Sequence, residues 1–232
     1  MTNKKLARIA GLLYLIVIGT GLFAEVFVRQ ALRVSGDAMA TAHNIQAAEM
    51  LYRFGFVADL TNFIIGLPCV LIFYILFKQV NKYLTILAIF FVIIQTAIIA
   101  VNLLNQVSPL LFLGGGQYLK SFQPDQLAIL SDHALDLQAE GYGIGLVFFG
   151  FYCLIIGYLI VKSTFLPRVL GVLYGLAGLC YVINSYAMFL APKLANALFP
   201  YILIPSFVGE LSVSLWLLIM GVKEDRSAIS IT

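Results

Sequence analysis

The sequence predicts an all-α polytopic membrane protein, a bundle of six transmembrane helices with amphipathic helices on the outer side. Three observations carry that expectation. Hydrophobic residues make up 62% of the 232 positions and charged residues 11%, against about 25% charged in ordinary soluble domains. Apolar residues gather in six runs, each long enough to cross a hydrocarbon core of about 30 Å as a helix. Lysine and arginine, finally, are distributed unevenly among the connections between those runs.

The first run, 6–28, follows Lys4, Lys5 and Arg8 and superficially resembles a signal peptide. A signal core is only about 7–15 residues long and ends at a small-residue cleavage site. This run is longer and closes with Phe23-Ala24-Glu25, so it is expected to stay as the first span. Ser35-Gly36-Asp37 supplies a turn and cap for an amphipathic helix over 38–52. Spans two and three, 54–77 and 83–112, are joined by the tight basic stretch Lys78 to Lys82. The third is long, and Ser108-Pro109 is expected to bend it. Pro124-Asp125 suits a helix start, and leucines alternate with acids over 124–139, giving a second amphipathic helix. Spans four, five and six fall near 140–161, 168–190 and 200–221, with Lys162 to Pro167 as a second tight basic joint. Residues 1–222 are read as one six-helix domain and 223–232 as a short, polar, frayed tail.

Local patterns refine this outline. Gly141-x3-Gly145 and Gly171-x3-Gly175 are small-residue patterns that let helices approach closely. Gly66-Leu67-Pro68 and Pro205 are the places where a span is expected to break, as discontinuous helices do at many transporter sites. Cys69-x4-Tyr74-x3-Lys78 recurs as Cys153-x4-Tyr158-x3-Lys162, a faint echo between the span two–three and span four–five hairpins.

Six spans place both termini on one side. That side carries Lys4, Lys5, Arg8, Lys78, Lys82, Lys162, Arg168, Lys223 and Arg226, nine cations in short segments. The other carries Arg29, Arg33, Arg53, Lys120 and Lys193, five in longer ones. The positive-inside rule then puts both termini in the cytoplasm. All acids except Glu224 and Asp225 fall on the outward half.

Several function classes are excluded. A net charge of +3 with no basic patch gives nucleic acid nothing to bind. Cys69, Cys153 and Cys180 stand singly in apolar runs, so no CxxC redox or zinc motif exists and each reads as a packed thiol. Gly114-Gly115-Gly116 precedes no lysine-serine pair and is a loop rather than a phosphate cradle. No serine has a GxS context, and His43 and His133 belong to no metal-ligand spacing. No metal and no cofactor is expected, and the bilayer itself is the first partner.

What remains is a polar constellation inside the apolar runs. Glu210 is the deepest group, flanked by Tyr201 to Gly209 and Leu211 to Met220, roughly 15 Å from the bilayer surface. A charge there costs roughly 2.5 kcal/mol or more, and no cation lies near it in sequence. Glu25 precedes Arg29 by four residues, the order that favours an ion pair on one helix face. Asp59 and Asn62 lie a turn apart in span two, with Arg53 near. Asn102, Asn105 and Gln106 make one stripe on span three, and Asn184 with Ser185 lies in span five. Glu25, Arg29, Asp59, Asn102, Asn105, Asn184 and Glu210 are the candidate ligand-binding residues. Helix-to-helix hydrogen bonding by the asparagines, worth roughly 0.6 to 2 kcal/mol each, is the competing explanation.

Seven blocks carry a resemblance. Lys5-Leu6-Ala7-Arg8-Ile9-Ala10-Gly11-Leu12-Leu13-Tyr14-Leu15, Ala24-Glu25-Val26-Phe27-Val28-Arg29 and Arg53-Phe54-Gly55-Phe56-Val57-Ala58-Asp59 come first. Asn102-Leu103-Leu104-Asn105, Gly145 to Gly150, Phe165 to Gly171 and Gly209-Glu210-Leu211-Ser212 follow in order. Together they resemble a bacterial integral membrane family catalogued as domain of unknown function 4386. The resemblance implies a multi-span bacterial membrane protein, placed in the inner or plasma membrane of the cell. Members often carry Asp-x-His before span four, where this chain has Asp136-Leu137-Gln138, and an acid near the position of Gly143. Those departures remove two polar partners and weigh against a metal or catalytic site. Glu25, Asp59, Asn105 and Glu210 are where the resemblance and the physical reading agree.

Three functional readings stay open. One is a protein that binds or moves a small polar or cationic ligand through an outward-facing pocket, which at six spans invites a homo-oligomer. Another is an intramembrane enzyme acting on a lipid headgroup or glycan, with Glu210 as acid or base and Asp59 or Glu25 as partner. The third is a structural or accessory protein whose polar groups set helix packing.

Overall fold

A computed structural model describes residues 2–223; the polar tail expected over 223–232 lies, beyond Lys223, outside the described residues. Among the described residues there is no strand. Six helices among the described residues are long and apolar enough to cross a membrane: Asn3–Leu32, Glu49–Phe77, Lys82–Leu113, Pro124–Lys162, Arg168–Leu190 and Tyr201–Ile219. Hydrocarbon offers backbone groups no hydrogen bond, so each span satisfies its own N–H and C=O groups by staying helical. Leu12, Phe27, Ile64, Leu104, Val172 and Leu215 remain exposed along these helices, the surface a lipid-immersed protein presents.

The first span comprises α1 (Asn3–Leu22), a π-helical turn (Phe23–Arg29) and the short α2 (Gln30–Leu32). Asp37 then caps α3 (Ala38–Ala47), its carboxylate accepting from the Ala40 amide at 2.9 Å. That helix ends at Ala48, and Glu49 opens α4 (Glu49–Phe77), so the amphipathic segment expected over 38–52 is divided between two helices. α5 (Lys82–Leu113) runs through Pro109, and α4 runs through Pro68. Neither Gly66-Leu67-Pro68 nor Ser108-Pro109 interrupts its helix, because a spanning helix tolerates the single hydrogen bond that a proline removes.

The stretch 124–139 is not a separate surface helix. α6 (Pro124–Lys162) continues through it into the span without interruption. α7 (Arg168–Leu190), α8 (Pro192–Leu198) and α9 (Ile204–Ile219) complete the chain. Pro205 sits in the first turn of α9, where its missing N–H is no loss, so it starts a helix rather than breaking one.

The chain forms two compact units. The first comprises 2–16, 65–95 and 144–223, the second 17–64 and 96–143. Within the first, glycines bring helices into backbone contact. A Cβ on Gly157 of α6 would lie 2.7 Å from the Gly171 carbonyl and the Gly175 amide of α7. One on Gly209 of α9 would lie 2.5 Å from the Leu173 carbonyl. The Gly171-x3-Gly175 pattern thus works as a packing surface. Tyr14, Phe73 and Phe77 contact edge to face, with centroids 6.1 and 5.9 Å apart. The echoed Tyr-x3-Lys pairs take the same form: Lys78 Nζ lies 5.6 Å from the Tyr74 ring centre and Lys162 Nζ 5.7 Å from that of Tyr158.

In the second unit Val28, Leu32, Ile45, Tyr52 and Leu135 form a buried cluster, with Phe23, Leu51, Leu110 and Leu113 packed on it. Glu25, Asp37, Glu49, Asp59, Asp125, Asp132, Asp136 and Glu140 all belong to this unit.

Candidate functional site

The site in the second unit begins with the π-helical turn. Over Phe23–Arg29 the backbone carries one residue more per hydrogen-bonded ring than an α-helix, and the Gln30 amide bonds the Glu25 carbonyl five residues back. Side chains four and five positions after Glu25 therefore both reach its carboxylate. Arg29 Nε donates to Glu25 Oε2 at 2.7 Å, and Gln30 Nε2 donates to Oε1 at 3.1 Å.

The same guanidinium serves a second acid. Arg29 Nη1 donates to Asp59 Oδ2 on α4, and Gln106 Nε2 on α5 donates to that oxygen at 2.8 Å. Arg29 also lies over the Tyr142 ring, 5.9 Å from its centre. Asp59 is buried and Glu25 is partly open, with side-chain exposures of 7% and 41%. Two carboxyl groups share one guanidinium, so with both ionised the cluster holds one carboxylate more than it has cations. Tyr52 fixes the third wall by donating to the Gln106 carbonyl at 2.6 Å. Gln106 is 2% exposed, and its Oε1 has no hydrogen-bond partner. An orphaned buried acceptor is uncommon and costs about 1–3 kcal/mol.

Asp59 pairs with Arg29 and not with Arg53. Arg53 bonds Glu49 instead, at 2.7 Å and half exposed. The asparagines on α5 act as helix-to-helix fasteners. Asn102 Nδ2 donates to the Gln138 carbonyl of α6 at 2.7 Å, and Asn105 Nδ2 donates to Asn102 Oδ1 at 2.9 Å. Gly141 gives Asn102 its room, since a Cβ there would lie 2.5 Å from Oδ1. Asn62 is likewise used within the second unit, donating to the Val17 carbonyl of α1 at 2.6 Å.

Glu210 belongs to the first unit and has a different company. Tyr181 of α7 donates its hydroxyl to Glu210 Oε1. Side chains lean toward their own helix N-terminus, and α7 and α9 run antiparallel, so the two groups converge from opposite directions. Tyr14 of α1 also hydrogen-bonds the carboxyl group and pairs with the Tyr174 hydroxyl at 2.7 Å. Asn184 is buried on α7, with Oδ1 lacking a partner, as does Ser185 Oγ. The candidate residues thus separate into Glu25, Arg29 and Asp59 on one ionic cluster, Asn102 and Asn105 on a helix contact, and Glu210 among tyrosines.

Arg33, just beyond the first span, holds Asp132 at 3.2 Å and also Asp136. Burial works to lower its pKa, but the hydrogen bond and charge of Asp136, together with Asp132, outweigh that and leave it raised. Among the described residues no three of His, Cys, Asp and Glu gather into a metal-binding group.

Sequence reasoning passed over the partners that matter most. Gln106 was legible as part of the α5 stripe, but its pairing with Asp59 spans 47 positions. Tyr14 and Tyr181 were not singled out, although a tyrosine buried in a span needs a partner for its hydroxyl.

The profile of the family described as domain of unknown function (DUF4386) matches residues 9–221. Over 80 residues the chain is 30% identical to an uncharacterized protein of Archaeoglobus fulgidus, a match covering 34% of this chain and 46% of that protein. The chain therefore spans about half the length of that relative. No solved structure matches. A profile match from Ile9 to Gly221 reaches all six apolar helices of this multi-pass membrane protein, and the chain belongs to the DUF4386 family.

Proposed function

We propose that this membrane protein binds a small polar ligand carrying one positive charge, and that the Glu25–Arg29–Asp59–Gln106 cluster receives it. The observation that carries the reading is the buried, unpartnered Gln106 Oε1 beside two carboxylates that share a single guanidinium. An ammonium group answers both needs, offering N–H donors to the orphaned oxygen and a charge that cancels the surplus carboxylate. The partly open Glu25 side is the entrance, and by the positive-inside rule it faces outward with both termini in the cytoplasm.

A helix-packing role is the competing reading, favoured by the way Asn102 ties α5 to α6. Thermal unfolding of the purified chain against a panel of small amines and quaternary ammonium ions separates the two. Ligand binding requires a concentration-dependent rise in Tm with at least one amine, abolished by Asp59→Asn. A packing role requires no rise with any of them.

A further inference from the structure

The tyrosine cluster around Glu210 differs in kind from the ionic one, and the difference lies in what its hydrogen bonds permit. Glu210 is 8% exposed, and Tyr14, Tyr152, Tyr174 and Cys153 are 5%, 3%, 0% and 0% exposed. Its partners come from α1 (Tyr14) and α7 (Tyr181), and Tyr174 of α7 extends the set to Tyr152 and Cys153 of α6. On α9 itself Ser206 and Ser214 turn away to backbone carbonyls, of Ala177 and Leu211. The hydroxyls that bond the carboxyl belong to Tyr181 and Tyr14, and no lysine, arginine or histidine among the described residues pairs with it.

A guanidinium is a fixed donor and satisfies a carboxyl group only in its ionised form. A phenol hydroxyl donates or accepts. With Glu210 ionised, Tyr181 and Tyr14 donate to it, Tyr174 donates to Tyr14, and Tyr152 donates to Tyr174. When the carboxylate takes up one proton, a new O–H bond forms and no other bond breaks. Reversal of the chain satisfies that O–H: Glu210 donates to Tyr14, Tyr14 to Tyr174, and Tyr174 to Tyr152 or to the weak acceptor Cys153. Both charge states are thereby hydrogen-bonded without any movement of the helices. Such equivalence is absent at Asp59, whose partners Arg29 and Gln106 Nε2 are donors only.

We propose that Glu210 is a reversible proton-binding site, with Tyr14, Tyr174 and Tyr181 as the positioning residues that accommodate either charge state. The inference is independent of the ligand reading, because the residues involved are different.

The test is infrared spectroscopy of the full chain in lipid nanodiscs over a pH series, with wild type compared against Glu210→Gln. The expected result is a carboxylic-acid C=O band in the difference spectrum that appears and disappears reversibly with pH. Tyr14→Phe should displace that band and move its midpoint, which a merely structural tyrosine would not do. Tyr181→Phe provides the same readout should Glu210→Gln fail to fold. A band that is constant, or absent, at every pH where the protein stays folded overturns the proposal. Removal of the band by sodium at fixed pH overturns it too, by identifying a metal-cation site instead.

Discussion

Replacing Arg29 with methionine removes the guanidinium that Glu25 and Asp59 share while preserving most of the side chain's length. The two acids lose unequal amounts. Glu25 keeps the Gln30 donor and is 41% exposed, so its share is within about 1 kcal/mol. Asp59 is 7% exposed and keeps only Gln106 Nε2, and an uncompensated buried charge of this kind costs about 3–5 kcal/mol. For a chain of this size each kcal/mol moves Tm by about 2–4 °C, so Arg29→Met should lower Tm by about 10 °C. Asp59→Asn leaves Arg29 paired with Glu25, and its cost should stay near 1–2 kcal/mol. The double variant should recover most of the loss, because no buried charge then lacks a partner. Thermal unfolding of the four proteins in one lipid or detergent condition reads this directly. Arg29→Met within about 2 °C of wild type would refute the shared-guanidinium reasoning, as would simple addition of the two losses in the double variant.

Other substitutions probe separate parts of the account. Gly157→Ala should destabilise by about 1–3 kcal/mol, because its Cβ meets α7 backbone at 2.7 Å; Gly66→Ala, with open space around it, should be neutral or slightly stabilising, and equal effects on Tm would contradict the close α6–α7 contact. Asn102→Ala should cost about 0.6–2 kcal/mol in unfolding measurements without altering amine binding, and loss of binding would move Asn102 from fastener to ligand contact. Arg33→Gln should cost no more than about 1 kcal/mol, and that cost should shrink in high salt because its carboxylate partners are partly exposed.

The spans were readable because hydrocarbon imposes one requirement on every residue of a crossing segment, and apolar runs of sufficient length record it. Their ends were less so. The apolar run begins only after Glu140, but the hydrogen-bonded helix of α6 extends back to Pro124, since Asp125, Asp132, Asp136 and Glu140 leave the backbone hydrogen bonds of an amphipathic helix intact. Pro68 looked like a break because proline removes a donor, yet the loss of a single hydrogen bond is not enough to divide a packed helix. The π-helical turn had no such marker: Phe-Ala-Glu-Val-Phe-Val-Arg suits an ordinary helix, and i,i+4 pairing of Glu25 with Arg29 is compatible with either form. Within the candidate site the local pair was legible and the distant ones were not. Arg29 and Asp59 are 30 positions apart, and Tyr181 and Glu210 are 29, separations that only the packing of helices brings together.

The ligand-binding role of the ionic cluster is tested most directly by equilibrium binding of small singly charged amines to the purified protein in lipid nanodiscs. The account predicts saturable binding by the wild type, lost in Asp59→Asn and Gln106→Leu and retained in Glu210→Gln. Absence of binding by the wild type, or binding left unchanged by both cluster substitutions, would contradict it.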